Sequence, residues 1–118
     1  MERAARHPLT IVLGYRIATA VGFAWGGLLS TGPLVEEHGV FVARGMPPWA
    51  FGRGGTTIGA VYLTRHNVGP GVLDHEAVHR EQWRTRGLAM IPLYIAAGPI
   101  ARLNRFEVEA GLTRGGYR

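Results

Sequence analysis

The chain is 118 residues long, has no cysteine, and carries 13 basic residues (all arginine) against 8 acidic ones, for a formal net charge of +5. That length supports a single domain over residues 1–118 and excludes two independent cores. The lack of cysteine excludes disulfides, thiolate metal sites and a cysteine nucleophile, so any metal must be held by His, Asp or Glu. The 47% apolar content excludes a disordered chain.

Residues 1–8 are polar and basic, and from Leu9 to Leu29 nearly every position is apolar or small, with Arg16 the one charge. About 20 such residues suffice to cross a hydrocarbon core. Apolar residues fall on all sides, and so small a domain rarely surrounds such a helix. A membrane segment over 9–29 is therefore favoured over a glycine-rich core helix, and membrane association over a cytoplasmic location. Gly22 and Gly26 have the spacing of close helix contact. Arg16 inside the apolar region, with no A-x-A site after it, argues against a cleaved signal peptide. The arginines are scattered and lack an interleaved aromatic stripe, which argues against nucleic acid. Positive charge beside apolar segments suits an anionic membrane surface instead.

Ser30-Thr31-Gly32-Pro33 stops the first helix. Residues 39–43 read as a short strand, 44–55 as a loop and 56–64 as a second strand rich in β-branched and aromatic residues. The two strands are expected to form a small antiparallel pair. A breaker-rich approach at 67–71 leads into a helix over 72–86 that Gly87 closes. The apolar run 88–101 is too short to span a bilayer and reads as a buried helix or an interfacial segment. A last helix starts near Arg102 or Asn104 and runs to about Leu112, and the tail from Thr113 is expected to fray. The expected fold class is α+β and mostly helical. A small antiparallel β element packs on the helix carrying residues 75–79, and a C-terminal helix supplies a glutamate.

Residues 75–79 read HEAVH. On a helix, i and i+4 share one face, so His75 and His79 can aim a ring nitrogen at the same point. Imidazole suits Zn²⁺, and two such ligands make half a site. Glu76 leans to the same side without chelating, placed to take a proton from metal-bound water. A third ligand should come from another element. The downstream acids are Glu81, Glu107 and Glu109. Glu81 points elsewhere on the same helix. Glu107 and Glu109 lie on the last helix with different faces, so at most one easily reaches the metal.

HExxH with a glutamate on a following helix resembles the gluzincin pattern, and HEAVHREQW followed by NRFEVEA looks like its minimal members, over roughly residues 56–111. The resemblance implies a zinc metallopeptidase with Zn²⁺ held by His75, His79 and Glu107 and with Glu76 as general base. The ligand commonly precedes Ala by three, and Glu107-Val108-Glu109-Ala110 matches, which selects Glu107 over Glu109. Gly111 stands where the family usually has Asp, so the pattern lacks that side-chain partner for a ligand His. TTIGAVYL looks like the family's edge strand, whose free backbone groups pair with an extended peptide. Gln82 and Trp83 match polar and aromatic positions after HExxH. Gln82 is a candidate for supporting His79, and Trp83 for the core. An electrophile for the oxyanion is also needed; Tyr62, Tyr94, Tyr117, His66 and several arginines are candidates. His7 and His38 read as surface residues.

The expected function is a zinc-dependent hydrolase, foremost a small metallopeptidase, acting on a peptide or small-molecule substrate. The alternatives are a non-proteolytic metal-site protein (another hydrolysis, a biosynthetic step or a structural metal) and a small membrane interaction protein. A homo-oligomer is compatible with each.

Overall fold

The computed structural model describes residues 8–52 and 54–111; the basic N-terminal segment, the tail from Thr113 and Tyr117 lie outside them. Helix α1 spans Pro8–Leu29 and is followed by strands β1 (Val35–Glu37) and β2 (Val40–Ala43). After a 3₁₀ turn at Pro48–Ala50 come β3 (Gly55–Ile58) and β4 (Val61–Thr64). Helices α2 (Pro70–Arg86), α3 (Met90–Ala97) and α4 (Arg105–Ala110) complete the chain, with short 3₁₀ turns between them. The fold class is α+β, as expected.

The sheet differs from expectation in number and direction. Its order is β1-β2-β4-β3, with β2 and β4 parallel and the two outer pairs antiparallel. Residues 56–64 are not one strand: Gly59, at φ 61°, turns the chain so that Ile58 pairs with Val61. A positive φ at the first of two loop residues is the type II′ hairpin, which glycine accommodates without steric cost. β1 and β2 are likewise joined through His38 and Gly39, both at positive φ, the type I′ arrangement. The expected antiparallel pair between 39–43 and 56–64 is thus replaced by parallel pairing of β2 with β4, because the second hairpin places β3 on the outside.

Both faces of the sheet are covered, so all four β4 residues are buried. Val40, Val42 and Tyr62 pack with Leu73 of α2. Ala43, Val61 and Leu63 pack on the other face with Met46 and Ala50, where α1 lies. That helix buries Gly14, Ala18, Gly22 and Gly26, one per turn. A Cβ on Gly22 would stand 2.9 Å from Ile58 O and Val61 Cβ, and one on Gly26 would stand 2.9 Å from Ala43 Cβ. Gly22 and Gly26 therefore seat α1 against the sheet, not against a second apolar helix, while Gly14 meets Gly87 and Leu88. Its other side is exposed and apolar, from Leu9 and Leu13 to Leu28. The helix is long and apolar enough to cross a membrane, yet it is packed along one face as part of this domain.

A third cluster joins the helices: Ala18 of α1, Trp83 of α2, Met90 of α3 and Phe106 of α4. The run 88–100 is divided: Met90 is buried and Leu93, Tyr94 and Ala97 pack against this cluster, while Ile91, Ile95 and Ile100 are open to solvent.

Candidate metal centre

Helix α2 begins two residues earlier than expected because Pro70, which needs no backbone donor, takes a first-turn position. It presents His75, Glu76, His79 and Gln82 inward, all buried. Facing them is α4, only six residues long, whose start is held by Asn104. The Asn104 Oδ1 accepts from the Phe106 and Glu107 amides at 2.9 and 3.4 Å, and its Nδ2 donates to Gly98 O at 2.9 Å. This buried cap fixes the one turn that carries Glu107.

His75 Nε2 and His79 Nε2 are 3.1 Å apart, and Glu107 Oε1 is 3.0 and 2.9 Å from them. Each ring is oriented by its other nitrogen. Gln82 Nε2 donates to Phe106 O (2.9 Å) and Glu109 Oε1 (2.7 Å), so its Oε1 faces His79 Nδ1, at 2.7 Å, as an acceptor. His75 Nδ1 donates to Gly111 O at 2.7 Å. The backbone carbonyl of Gly111 is thus the partner that orients the His75 ring. With Nδ1 the donor in both rings, both Nε2 lone pairs point at Glu107 Oε1. Three acceptor atoms at such separations repel one another unless a proton or cation stands between them. Two imidazoles and one carboxylate are also the donor set of hydrolytic zinc sites, and atoms about 2.0–2.1 Å from one ion have separations of this order. The residues fit a metal ion.

Glu76 Oε1 stands 3.8 Å from His75 Nε2, and Thr57 Oγ1 of β3 donates to Glu76 Oε2 at 2.8 Å. Burial pushes the Glu76 carboxyl above its ordinary range, against the pull of His79, the Thr57 hydrogen bond and His75. For Glu107, burial acts upward too, but contact with His75 and His79 and the Tyr94 hydrogen bond outweigh it and hold the carboxyl well below the usual range. Burial disfavours charge on His79, yet its contact with Glu107 and the charges of Glu76 and Glu107 raise its pKa. Two neighbouring carboxyls are thereby pushed apart, one towards holding a proton and one towards charge.

The cluster forms one wall of a cleft of about 320 Å³ between β3 and α3. Glu76, His79 and Glu107 line it together with Thr57, Trp83, Tyr94 and Ile95. Of the sequence candidates, the structure joins His75, Glu76, His79, Glu107, Gln82 and Tyr94, whose hydroxyl donates to Glu107 Oε2. Trp83 is buried and donates to Thr57 O at 3.0 Å, so it packs the core and the cleft wall at once. His66 is exposed beyond β4 and is not among the cleft residues. Tyr62 donates to Asn67 O at 2.9 Å and does not line the cleft. Glu109 is exposed and reaches Gln82, one step from the centre. Thr57, Asn104 and the Gly111 carbonyl were not anticipated. Asn104 alone carried a local signal, as a capping side chain before Glu107. Comparison with known protein families, curated proteins and solved structures finds no match for this chain.

Proposed function

We propose that the protein is a zinc-dependent hydrolase of minimal gluzincin type, most simply a small metallopeptidase. The observation that carries this is the meeting of His75 Nε2, His79 Nε2 and Glu107 Oε1 within 3.1 Å of one another, beside a carboxyl pushed towards its neutral form. His75, His79 and Glu107 would hold the ion, and Gln82, Gly111 and Tyr94 would keep those ligands in place. Bound Zn²⁺ supplies Lewis acidity, lowering the pKa of water towards about 7 and polarising a carbonyl. Glu76 takes the proton from the attacking water and passes it to the leaving amine, with Thr57 steadying its second oxygen. β3 is an edge strand bordering the cleft, so an extended peptide can pair along its free side. Membrane association through residues 9–29 is part of the same proposal, supported by the exposed apolar side of α1.

The test is metal content and hydrolysis measured on the same samples. Wild type should hold about one zinc per chain and cleave an unbiased peptide mixture, while Glu76→Gln should keep the zinc and lose cleavage. A second reading, a structural metal, is favoured by the brevity of α4, six residues tied to α2 through Glu107. It predicts zinc, no turnover, and a melting temperature that drops on chelation.

A further inference from the structure

Exposed apolar side chains occur both on α1 and at the rim of the cleft. The outward arc of α1 carries Leu9, Leu13, Ala20 and Leu28, with Leu9 and Leu28 75% and 79% exposed. On its packed side, at Gly14, the helix meets Leu88, whose backbone nitrogen is 2.7 Å from a Cβ built there, and Leu88 is itself exposed beside that contact. Leu88 lies in the 3₁₀ turn before α3, and the exposed apolar positions continue on α3 at Ile91 and Ile95, whose i, i+4 spacing shares one helical face. Ile91 and Ile95 also line the cleft. At the other end of α1, Trp25 (38% exposed) and Trp49 (70% exposed) meet edge to face at 5.9 Å. Tryptophan in a half-wet position is the side chain favoured at a lipid headgroup boundary.

Charge is segregated in the same sense. Among the described residues the surface acids lie off this arc, each with a partner: Glu36 with Arg80, Glu37 with Arg44, Asp74 with His38, Glu81 with Arg84 and Glu109 with Gln82. No acidic residue occurs between Arg3 and Val35. Arg16, exposed on the outward arc of α1, has no acidic partner among the described residues. A second copy meeting this face could offer Arg16 no acid from its own α1, whereas lipid phosphates offer many. A spanning orientation fits poorly as well. The ion pair of Arg80 with Glu36, joined to α1 through Tyr15, would be carried towards the hydrocarbon, and Arg16 would sit about 10 Å along the span.

We infer that the protein docks on an anionic lipid bilayer with α1 lying in the plane of the interface, so that the cleft beside Glu107 opens at the lipid surface. The domain itself is the polar side that an ordinary interfacial helix carries on its own back. This rests on the membrane reading of residues 9–29 and adds its geometry, and it gives the proposed hydrolase a substrate class: apolar, extended segments presented at a membrane surface.

The test uses the purified chain with phosphatidylglycerol–phosphatidylcholine vesicles and with pure phosphatidylcholine vesicles. Wild type should sediment with the anionic vesicles and bind the neutral ones more weakly. Leu13→Glu and Ile95→Glu should each weaken binding at least about tenfold, and Arg16→Gln about fivefold, with circular dichroism unchanged in all three and zinc content unchanged in Leu13→Glu and Arg16→Gln. Because the chain has no cysteine, fluorophores on Leu9→Cys, Ala20→Cys and Leu28→Cys report depth without background. All three should lie at one shallow level, about 5–10 Å into the boundary. Ala20→Cys at the bilayer centre, with the two ends in opposite leaflets, would overturn the in-plane geometry and leave the membrane reading standing. A chain that binds neither vesicle, as a monomer or as a dimer through α1, would overturn both. Ile95→Glu binding as tightly as wild type would overturn the placing of the cleft at the lipid surface.

Discussion

The centre between α2 and α4 and the outer side of α1 handle misplaced chemistry in opposite ways. At the centre, ionisable groups are taken out of water and every orientation is fixed by a neighbour: Gln82 and Gly111 hold the imidazoles, Tyr94 and Asn104 hold Glu107, and Thr57 holds Glu76. On α1, aliphatic side chains are left in water and nothing among the described residues covers them. Buried polar groups with full sets of partners are costly to assemble unless they do something, and an exposed apolar arc is costly to keep unless something meets it. The first arrangement points to a small ligand and the second to a surface.

The proposed division predicts that the two regions fail separately. Glu76→Gln should lower hydrolysis by about 10²–10⁴-fold while zinc content and vesicle binding hold, read from rate and metal assays on one preparation. Glu107→Ala should weaken zinc binding by more than about a hundredfold, and Gln82→Ala, which leaves the ligands in place but unaligns His79, by about 10–100-fold. Competition titrations with a chelator measure both. Zinc affinity should also fall with pH, because protons and metal compete for the same lone pairs. With the His79 pKa raised, that fall should begin above the ordinary imidazole value of about 6.5.

Substitutions on the buried side of α1 sharpen the comparison from the other direction. Gly22→Leu, which must push against Ile58 and Val61, should cost about 1–3 kcal/mol of unfolding free energy. An α1 detachable from the domain would leave the denaturation midpoint unmoved. The smallest effect is expected at Asn104→Ala, about 1 kcal/mol from the lost cap, with weaker zinc binding as Glu107 loses its setting.

What was legible in the sequence follows the range of the interactions. His75, Glu76 and His79 share a face through local helical geometry, so the spacing of HEAVH sufficed, and FEVEA narrowed the third ligand to Glu107 or Glu109. The helix over 9–29 showed through composition alone, but composition cannot say which side packs: Gly22 and Gly26 read as a contact with another helix and instead meet Val61 and Ala43. Strand direction was illegible because parallel pairing of β2 with β4 is decided by where the Gly59 turn sends β3. The Gly111 carbonyl was invisible for a different reason, since a backbone acceptor leaves no trace in residue type.

The central claim is that His75, His79 and Glu107 form one zinc site, and X-ray absorption at the zinc edge on stoichiometrically loaded protein tests it most directly. The account predicts about one zinc per chain, bound by two imidazole nitrogens at about 2.0–2.1 Å and carboxylate oxygen, with one imidazole lost in His79→Ala. A folded wild type that takes up no zinc, or a zinc spectrum unchanged in His79→Ala and Glu107→Ala, would contradict it.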